Sequence, residues 1–209
     1  CSIRCKARTI SLIVDARALP LLKVMTRLKD WVALPLVNQL ILIVKPVNDA
    51  WRQAIDEISR EIPMIQWIFK DKESQGAVFN AAAKRAGNYF LVFLDSNAQF
   101  ANHLTVDLVQ ARQQLPSFAM VGIKQPKTSC FAAFQALPTP KEALGLMFKK
   151  AYRSVSTTST RLPSVQSSVY LIDRALWGIM GGFDGQLVGN AMLADACLKA
   201  HQHGAQVLE

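Results

Sequence analysis

Six charged residues fall at or just past the ends of short apolar runs: Asp15, Lys45, Asp49, Lys70, Asp71 and Asp95. Each run reads as a strand. In an open parallel sheet, ligands settle in the crevice outside the carboxyl ends of the strands. The pattern therefore gathers carboxylates and lysines along one edge, and that shared edge is the best physical argument for a site. Asp95 heads the triplet Asp95-Ser96-Asn97, and Asp15 is followed by Arg17. Lys84 and Arg85 lie one predicted helix before Asp95. They either reach a diphosphate or stand solvated.

Other chemistries lack their residues. No GxGxxG follows a strand, and no phosphate-loop GxxxxGK[ST] occurs, which disfavours dinucleotide oxidoreductases and phosphate-loop enzymes. No nucleophile elbow is present. His201 and His203 form an HxH near a helix end, where helical spacing splays them apart. Asp173-Arg174 after a strand reads as an exposed ion pair. Cys1, Cys5, Cys130 and Cys197 make no CxxC pair. Zinc needs four convergent ligands, so free thiols in a reducing cytoplasm is the reading adopted, with Cys197 a small core residue.

The elements that must position the edge alternate. Apolar runs at 9–14, 39–44, 65–69, 89–94, 118–123 and 168–172 predict strands, the second continuous enough to be buried on both faces and the fourth the most apolar of the chain. Helical periodicity predicts helices from Pro20 through Val32, from Trp51 to Ile62, at 78–86, at 103–115 and at 191–203. Gly87 and Gly204 cap two of them. The βαβαβ order predicts a mostly parallel sheet covered by helices. After Lys124 the regularity breaks. A short helix at 141–152, a Ser/Thr-rich loop at 154–160 and a final strand at 205–208 are expected there.

The 209 residues suit one α/β domain, and a 51% hydrophobic content suits a packed core. Residues 1–8 read as a tail and 9–209 as the domain. The start at Cys1 and the abrupt end suggest a trimmed chain or an excised domain, cut at the C-terminus. The longest apolar stretch, 31–47, contains Pro35, Asn38 and Gln39 and falls short of a membrane span of about 20 residues. The formal net charge is +9, with seven basic residues in the first thirty. Such a surface attracts phosphates, nucleic acid or anionic lipid. With no nucleic-acid motif and no aromatics interleaved with the basic residues, specific nucleic-acid binding is not expected.

Two segments carry a resemblance. The first is Gly76-Ala-Val-Phe-Asn80-Ala-Ala-Ala-Lys-Arg-Ala86-Gly87, leading through an apolar run into Asp95-Ser96-Asn97. The second is Gly181-Gly182-Phe183-Asp184-Gly185, followed by Ala194-Asp195-Ala-Cys-Leu198 and Gly204. In order and spacing they resemble family 2 glycosyltransferases with the GT-A fold. In that family an Asn-bearing helix ending in Ala-Gly precedes a strand ending in Asp-x-Asp, and Gly-Gly-Phe-Asp precedes Glu-Asp-x-Asp-Leu on a helix.

The resemblance implies a single α/β domain of GT-A type, with a mostly parallel sheet flanked by helices. It implies a nucleotide-sugar ligand whose diphosphate leaving group is stabilised by a divalent cation, Mn or Mg. Asp95 and Asn97 would hold that metal, and Asp15, Lys45, Asp49, Lys84, Asp95 and Asn97 would bind the substrate. The sequence departs from the family at three places. Asn97 offers a neutral oxygen where a second carboxylate is usual. Lys45-Pro46-Val47-Asn48 replaces an acidic pair after the second strand, and Met192-Leu193 replaces the catalytic Glu-Asp. Asp195 matches the later acid of that motif and is the remaining candidate base. About 200° separates Asp195 from Leu193 around a helix; a carboxylate meeting the helix dipole is its alternative role.

Besides an α/β interaction module unrelated to sugars that uses the basic face, which the resemblance disfavours, two functions follow as expectations. One is a nucleotide-sugar-dependent transferase acting on a glycan, lipid or protein acceptor. The other is a catalytically inactive GT-A-fold module, a pseudoenzyme, that binds a ligand or partner. The expected location is cytoplasmic, at the inner face of the membrane, with peripheral membrane contact.

Overall fold

The computed structural model describes residues 9–95, 98, 103–115, 118–122 and 169–208. Among them are seven strands in one sheet and six helices. The strands are β1 (Ile10–Asp15), β2 (Val37–Val44), β3 (Ile65–Phe69), β4 (Phe90–Asp95), β5 (Ala119–Gly122), β6 (Val169–Asp173) and β7 (Gln206–Leu208). The helices are α1 (Leu21–Val32), α2 (Asp49–Glu61), α3 (Gln75–Arg85), α4 (Leu104–Gln113), α5 (Arg174–Met180) and α6 (Gly189–Gln202). The expected helix at 141–152, the loop at 154–160 and Asn97 lie outside the described residues.

The sheet order is β3-β2-β1-β4-β6-β5-β7. The first four strands run parallel, β6 is antiparallel to both its neighbours, and β5 and β7 are parallel to each other. This is the expected mostly parallel α/β sheet. Both faces of its centre are covered, which is why β1 and β4 are buried at every position except their terminal aspartates. Ile13, Phe93 and Tyr170 meet α3, α5 and α6 on one face. Leu12, Val14 and Val92 meet Trp31 of α1 and Leu104 and Leu108 of α4 on the other.

Local chemistry sets the helix starts. Pro20 stands at the N-cap of α1, where a missing N–H costs nothing. Asn48 caps α2 by accepting from the Trp51 N–H at 3.1 Å. Ser74 caps α3 by accepting from the Ala77 N–H at 3.2 Å. The sequence pattern started these last two helices two and three residues late, because capping polar residues precede the apolar rhythm. It left α5 without an element: seven residues with a glycine inside give too short a period to read.

Asp173-Arg174 is not the exposed ion pair expected. Asp173 ends β6 fully buried, accepting from Arg112 Nε of α4 at 2.6 Å and from the Ala119 N–H at 3.0 Å. Only Arg174 faces outward. The strand runs antiparallel, so its end meets α4 and the start of β5 rather than solvent.

Candidate functional site

β1 and β4 are register neighbours that end together, with Asp15 paired to Asp95. Two carboxylates are thereby set side by side at the carboxyl edge of the sheet. β2 delivers Lys45 just past its own end. A cleft of about 480 Å³ opens there, lined by Asp15, Arg17, Lys45, Asp71, Glu73 and Asp95 together with Ser74, Gln75 and Val188. An adjoining groove of about 350 Å³ shares Arg17, Ala18 and Lys45 with it and is walled by Leu19, Pro20, Leu21, Val24, Val44 and Val47. The charged compartment thus continues into an apolar one.

Charges in the cleft are largely committed. Arg17 donates from Nε and Nη2 to the two oxygens of Asp15, each at 2.8 Å, and from Nη1 to the Glu73 carbonyl at 2.6 Å. The hydrogen bond to Asp15 raises the Arg17 pKa above its ordinary value; burial opposes it, and the charges of Asp15, Glu73 and Asp71 add to it. This bidentate fork fixes the guanidinium plane. Lys70 reaches Glu73 at 2.7 Å, and that hydrogen bond, with backbone ones, holds Glu73 below the usual carboxylate range. Lys45 has no acidic partner among the described residues, and it is exposed.

The second motif packs against the first. Gly181 ends α5 in the left-handed conformation, φ 71°, and Gly182 follows at φ 81°. A Cβ on Gly182 would meet Asn80 Oδ1 at 2.5 Å, so no other residue fits. Asn80 Nδ2 donates to the Phe183 carbonyl at 2.9 Å, and the Phe183 N–H donates back to Asn80 Oδ1 at 2.9 Å. Phe183 then fills an aromatic cluster with Trp177 at 4.5 Å and Phe93 at 5.2 Å between ring centroids. Gly76 is needed for the same approach: its Cβ would lie 2.3 Å from the Asp184 carbonyl oxygen. Ser74 donates to the Gly185 carbonyl, and Gln75 accepts from the Gly189 N–H at 3.0 Å, which ties the first turn of α6 to the rim of the cleft.

Past that turn the positions where the resemblance expects acids are apolar and buried. Met192 and Leu193 are 1% and 4% exposed and belong to the core cluster with Phe183 and Trp177. Asp195 points elsewhere and meets Lys199 at 2.8 Å, a charge contact without hydrogen-bond alignment. α6 starts at Gly189, two residues before the expected Ala191, so Asp195 sits in its second turn. The carboxylate pairs along the helix instead of meeting the N-terminal dipole.

The structure thus brings Asp15, Lys45 and Asp95 into one cleft. Asp49 is separate: it occupies the exposed first turn of α2 and does not line the cleft. Lys84 lines a different groove, against α5. Glu73, Ser74, Gln75 and Val188 were not legible as site residues. The one sequence signal was Ser74 three residues before Ala77, a capping position that also places Glu73 and Gln75 at the cleft. Among the described residues no three His, Cys, Asp or Glu side chains converge as a metal site. Both Asp15 oxygens are engaged by Arg17, and Asp95 is its register neighbour at this edge. So few carboxylates suit a hard cation that arrives with substrate phosphates and keeps several waters.

No family profile matches the chain, and no curated protein sequence matches it either. Solved structures do. GalNAc-T7, determined with UDP, GalNAc and Mn2+, superposes with a TM-score of 0.71 at 15% identity, over 96% of this chain and 42% of its own. TarS from S. aureus, determined with UDP-GlcNAc, gives 0.61 at 16% identity, over 96% and 56%. The mannosyltransferase PcManGT from Pyrobaculum calidifontis, determined with GDP-Man and Mn2+, gives 0.59 at 13% identity, over 95% and 56%. The chain therefore spans about half the length of these proteins, or less. What it shares with them across nearly all its own length is the GT-A-type fold of nucleotide-sugar glycosyltransferases.

Proposed function

We propose that this chain is a glycosyltransferase-like domain that binds a nucleotide sugar in the cleft at the carboxyl edge of β1, β2 and β4. The observation that carries this reading is the placement of Asp15, Lys45 and Asp95 around one charged cleft that runs into an apolar groove. The apolar groove suits the base. Lys45, an exposed lysine without an acidic partner among the described residues, suits the diphosphate. Arg17, pinned by Asp15, gives the cleft a fixed cation. A divalent ion carried on the diphosphate would meet Asp95, with Asn97 as the expected second oxygen ligand. That ion would offset charge developing on the leaving nucleotide. Asp49 and Lys84, expected to bind the same substrate, lie outside the cleft and have no part in this reading.

A second reading has its own observation. The positions matching the family's catalytic acids are the buried Met192 and Leu193, and Asp195 is engaged by Lys199. A leucine accepts no proton. This favours a module that holds the nucleotide sugar without transferring it to a glycan, lipid or protein. Both readings place the chain in the cytoplasm at the inner membrane face, where an anionic surface meets its net charge of +9. Among the described residues no helix is long and apolar enough to cross a membrane.

Thermal shifts with UDP, GDP, UDP-GlcNAc and GDP-Man, with and without Mn2+, test the shared claim. A stabilising shift with at least one nucleotide is expected, and no shift with any of them overturns it. Hydrolysis of the bound nucleotide sugar, or transfer of its sugar, then separates the readings: turnover supports the transferase, and binding without turnover supports the module.

A further inference from the structure

A second concavity lies away from the cleft. It is a groove of about 380 Å³ between α3 and α5, lined by Asn80, Lys84, Arg174, Trp177 and Gly178 among others, with no acidic residue in its wall. Lys84 and Arg174 are both exposed, and neither has an ion-pair partner among the described residues. The Arg174 N–H donates to the Tyr89 carbonyl at 3.0 Å, just before β4 begins, so Arg174 sits at the end of β4 opposite Asp95. The two concavities have no lining residue in common.

Two further features mark this groove. Gly178 stands inside α5 at an ordinary helical φ, and a Cβ built on it would meet nothing within 4 Å. Glycine in a helix interior is less favourable than alanine, and no steric demand explains it here. At Gly178 the groove wall is left without a side chain. The outward face of α5 also presents Ile179, which is 50% exposed, and Tyr89 beside Arg174 is 46% exposed. Ile179 follows the lining residue Gly178 in the chain, and Tyr89 is joined to the lining residue Arg174 through its backbone carbonyl; exposed cations, an apolar side chain and a tyrosine so close in the chain and the fold match the chemistry of a bilayer interface.

We propose that the α3–α5 groove is a docking site for the headgroup of an anionic phospholipid. Lys84 and Arg174 flank its phosphate, and Ile179 and Tyr89 enter the interface. The site stands on the groove's own charge and shape and does not depend on nucleotide binding in the cleft.

The test is sedimentation of the whole chain with vesicles of phosphatidylglycerol in phosphatidylcholine, without nucleotide. Because the net charge is +9, a charge-matched control is essential. The double variant Lys84→Ala/Arg174→Ala is compared with Lys23→Ala/Lys29→Ala, two exposed lysines of α1. The groove variant is expected to lose about thirtyfold in vesicle affinity, the factor given by two cations each contributing about 1 kcal/mol at an anionic surface. The control is expected to lose severalfold less. Gly178→Leu changes no charge and improves the helix, so it should raise the melting temperature yet weaken vesicle binding. Equal losses in both double variants, or unchanged binding by Gly178→Leu, would overturn the proposal. So would full competition by millimolar glycerol 3-phosphate, which would make the groove a site for soluble phosphate esters instead.

Discussion

Asn80 and Phe183 are bonded twice, amide to backbone, with both contacts at 2.9 Å. The side chain of Asn80 mimics a strand neighbour for one residue of the Gly181–Gly185 turn, and so joins the two segments of the chain that carry its resemblance. The pairing is partly buried. Asn80→Ala should therefore cost about 2–3 kcal/mol in chemical denaturation, from leaving a donor and an acceptor unmade. Asn80→Asp keeps the acceptor and loses the donor, and it should fall between the two.

Leu193 occupies the position where the resemblance calls for an acid, yet it is only 4% exposed within the core. Restoring the acid by Leu193→Asp should not restore chemistry. A carboxyl group placed there is desolvated among apolar neighbours, and we expect a loss of about 3 kcal/mol or more in unfolding free energy. Urea denaturation alongside a nucleotide-sugar hydrolysis assay reads both effects. A variant of wild-type stability with new turnover would show that the position still opens toward the cleft.

The buried pair Arg112–Asp173 joins α4, β5 and β6 at 2.6 Å. Arg112→Ala leaves the Asp173 charge buried and should destabilise by about 3–5 kcal/mol, the cost of breaking rather than replacing a buried pair. Asp173→Ala should be comparable in size. The double variant should cost less than the sum of the two, which a double-mutant cycle by denaturant melts would show.

Tyr170 of β6 stacks on Phe93 at 5.3 Å, and its hydroxyl is buried with no hydrogen-bond partner among the described residues. Burial pushes its pKa well above the ordinary value, with the charges of Cys197, Asp95 and Asp15 adding to the shift. The folded state thus keeps a proton that the unfolded state releases near pH 10. The resulting stabilisation is complete below about pH 10 and is lost as pH rises toward the folded pKa, with a slope of about 1.4 kcal/mol per pH unit. Tyr170→Phe should lack that slope in melts between pH 9 and 11, and at pH 7 it should match or exceed the parent.

The sequence exposed the scaffold well because its strands are buried on both faces. Continuous apolar runs such as Leu40–Val44 and Phe90–Leu94 leave little choice of element. Asp15 and Asp95 were readable as edge residues for the same reason: each is the first charge after such a run. Contacts that depend on strand order were not readable. Nothing local to Asp173 reveals that β6 runs antiparallel and meets Arg112, 61 residues away. Nor does spacing tell that Lys84 faces α5 and not the cleft, because α3 carries both Gln75 at one end and Lys84 at the other. Asn80 was visible as part of a motif, but its partner Phe183 lies 103 residues on.

The central claim is that the cleft beside Asp95 binds a nucleoside diphosphate together with a divalent cation. The most direct measurement is calorimetric titration of UDP and of GDP, with and without Mn2+, into the parent chain, Asp95→Ala and Lys45→Ala. We predict that at least one nucleotide binds the parent with Mn2+ dependence. Asp95→Ala should abolish that dependence, and Lys45→Ala should weaken binding about tenfold, as expected for one lost charge-assisted contact of about 1.5 kcal/mol. Absence of binding to the parent, or unchanged Mn2+-dependent binding by Asp95→Ala, would contradict the account.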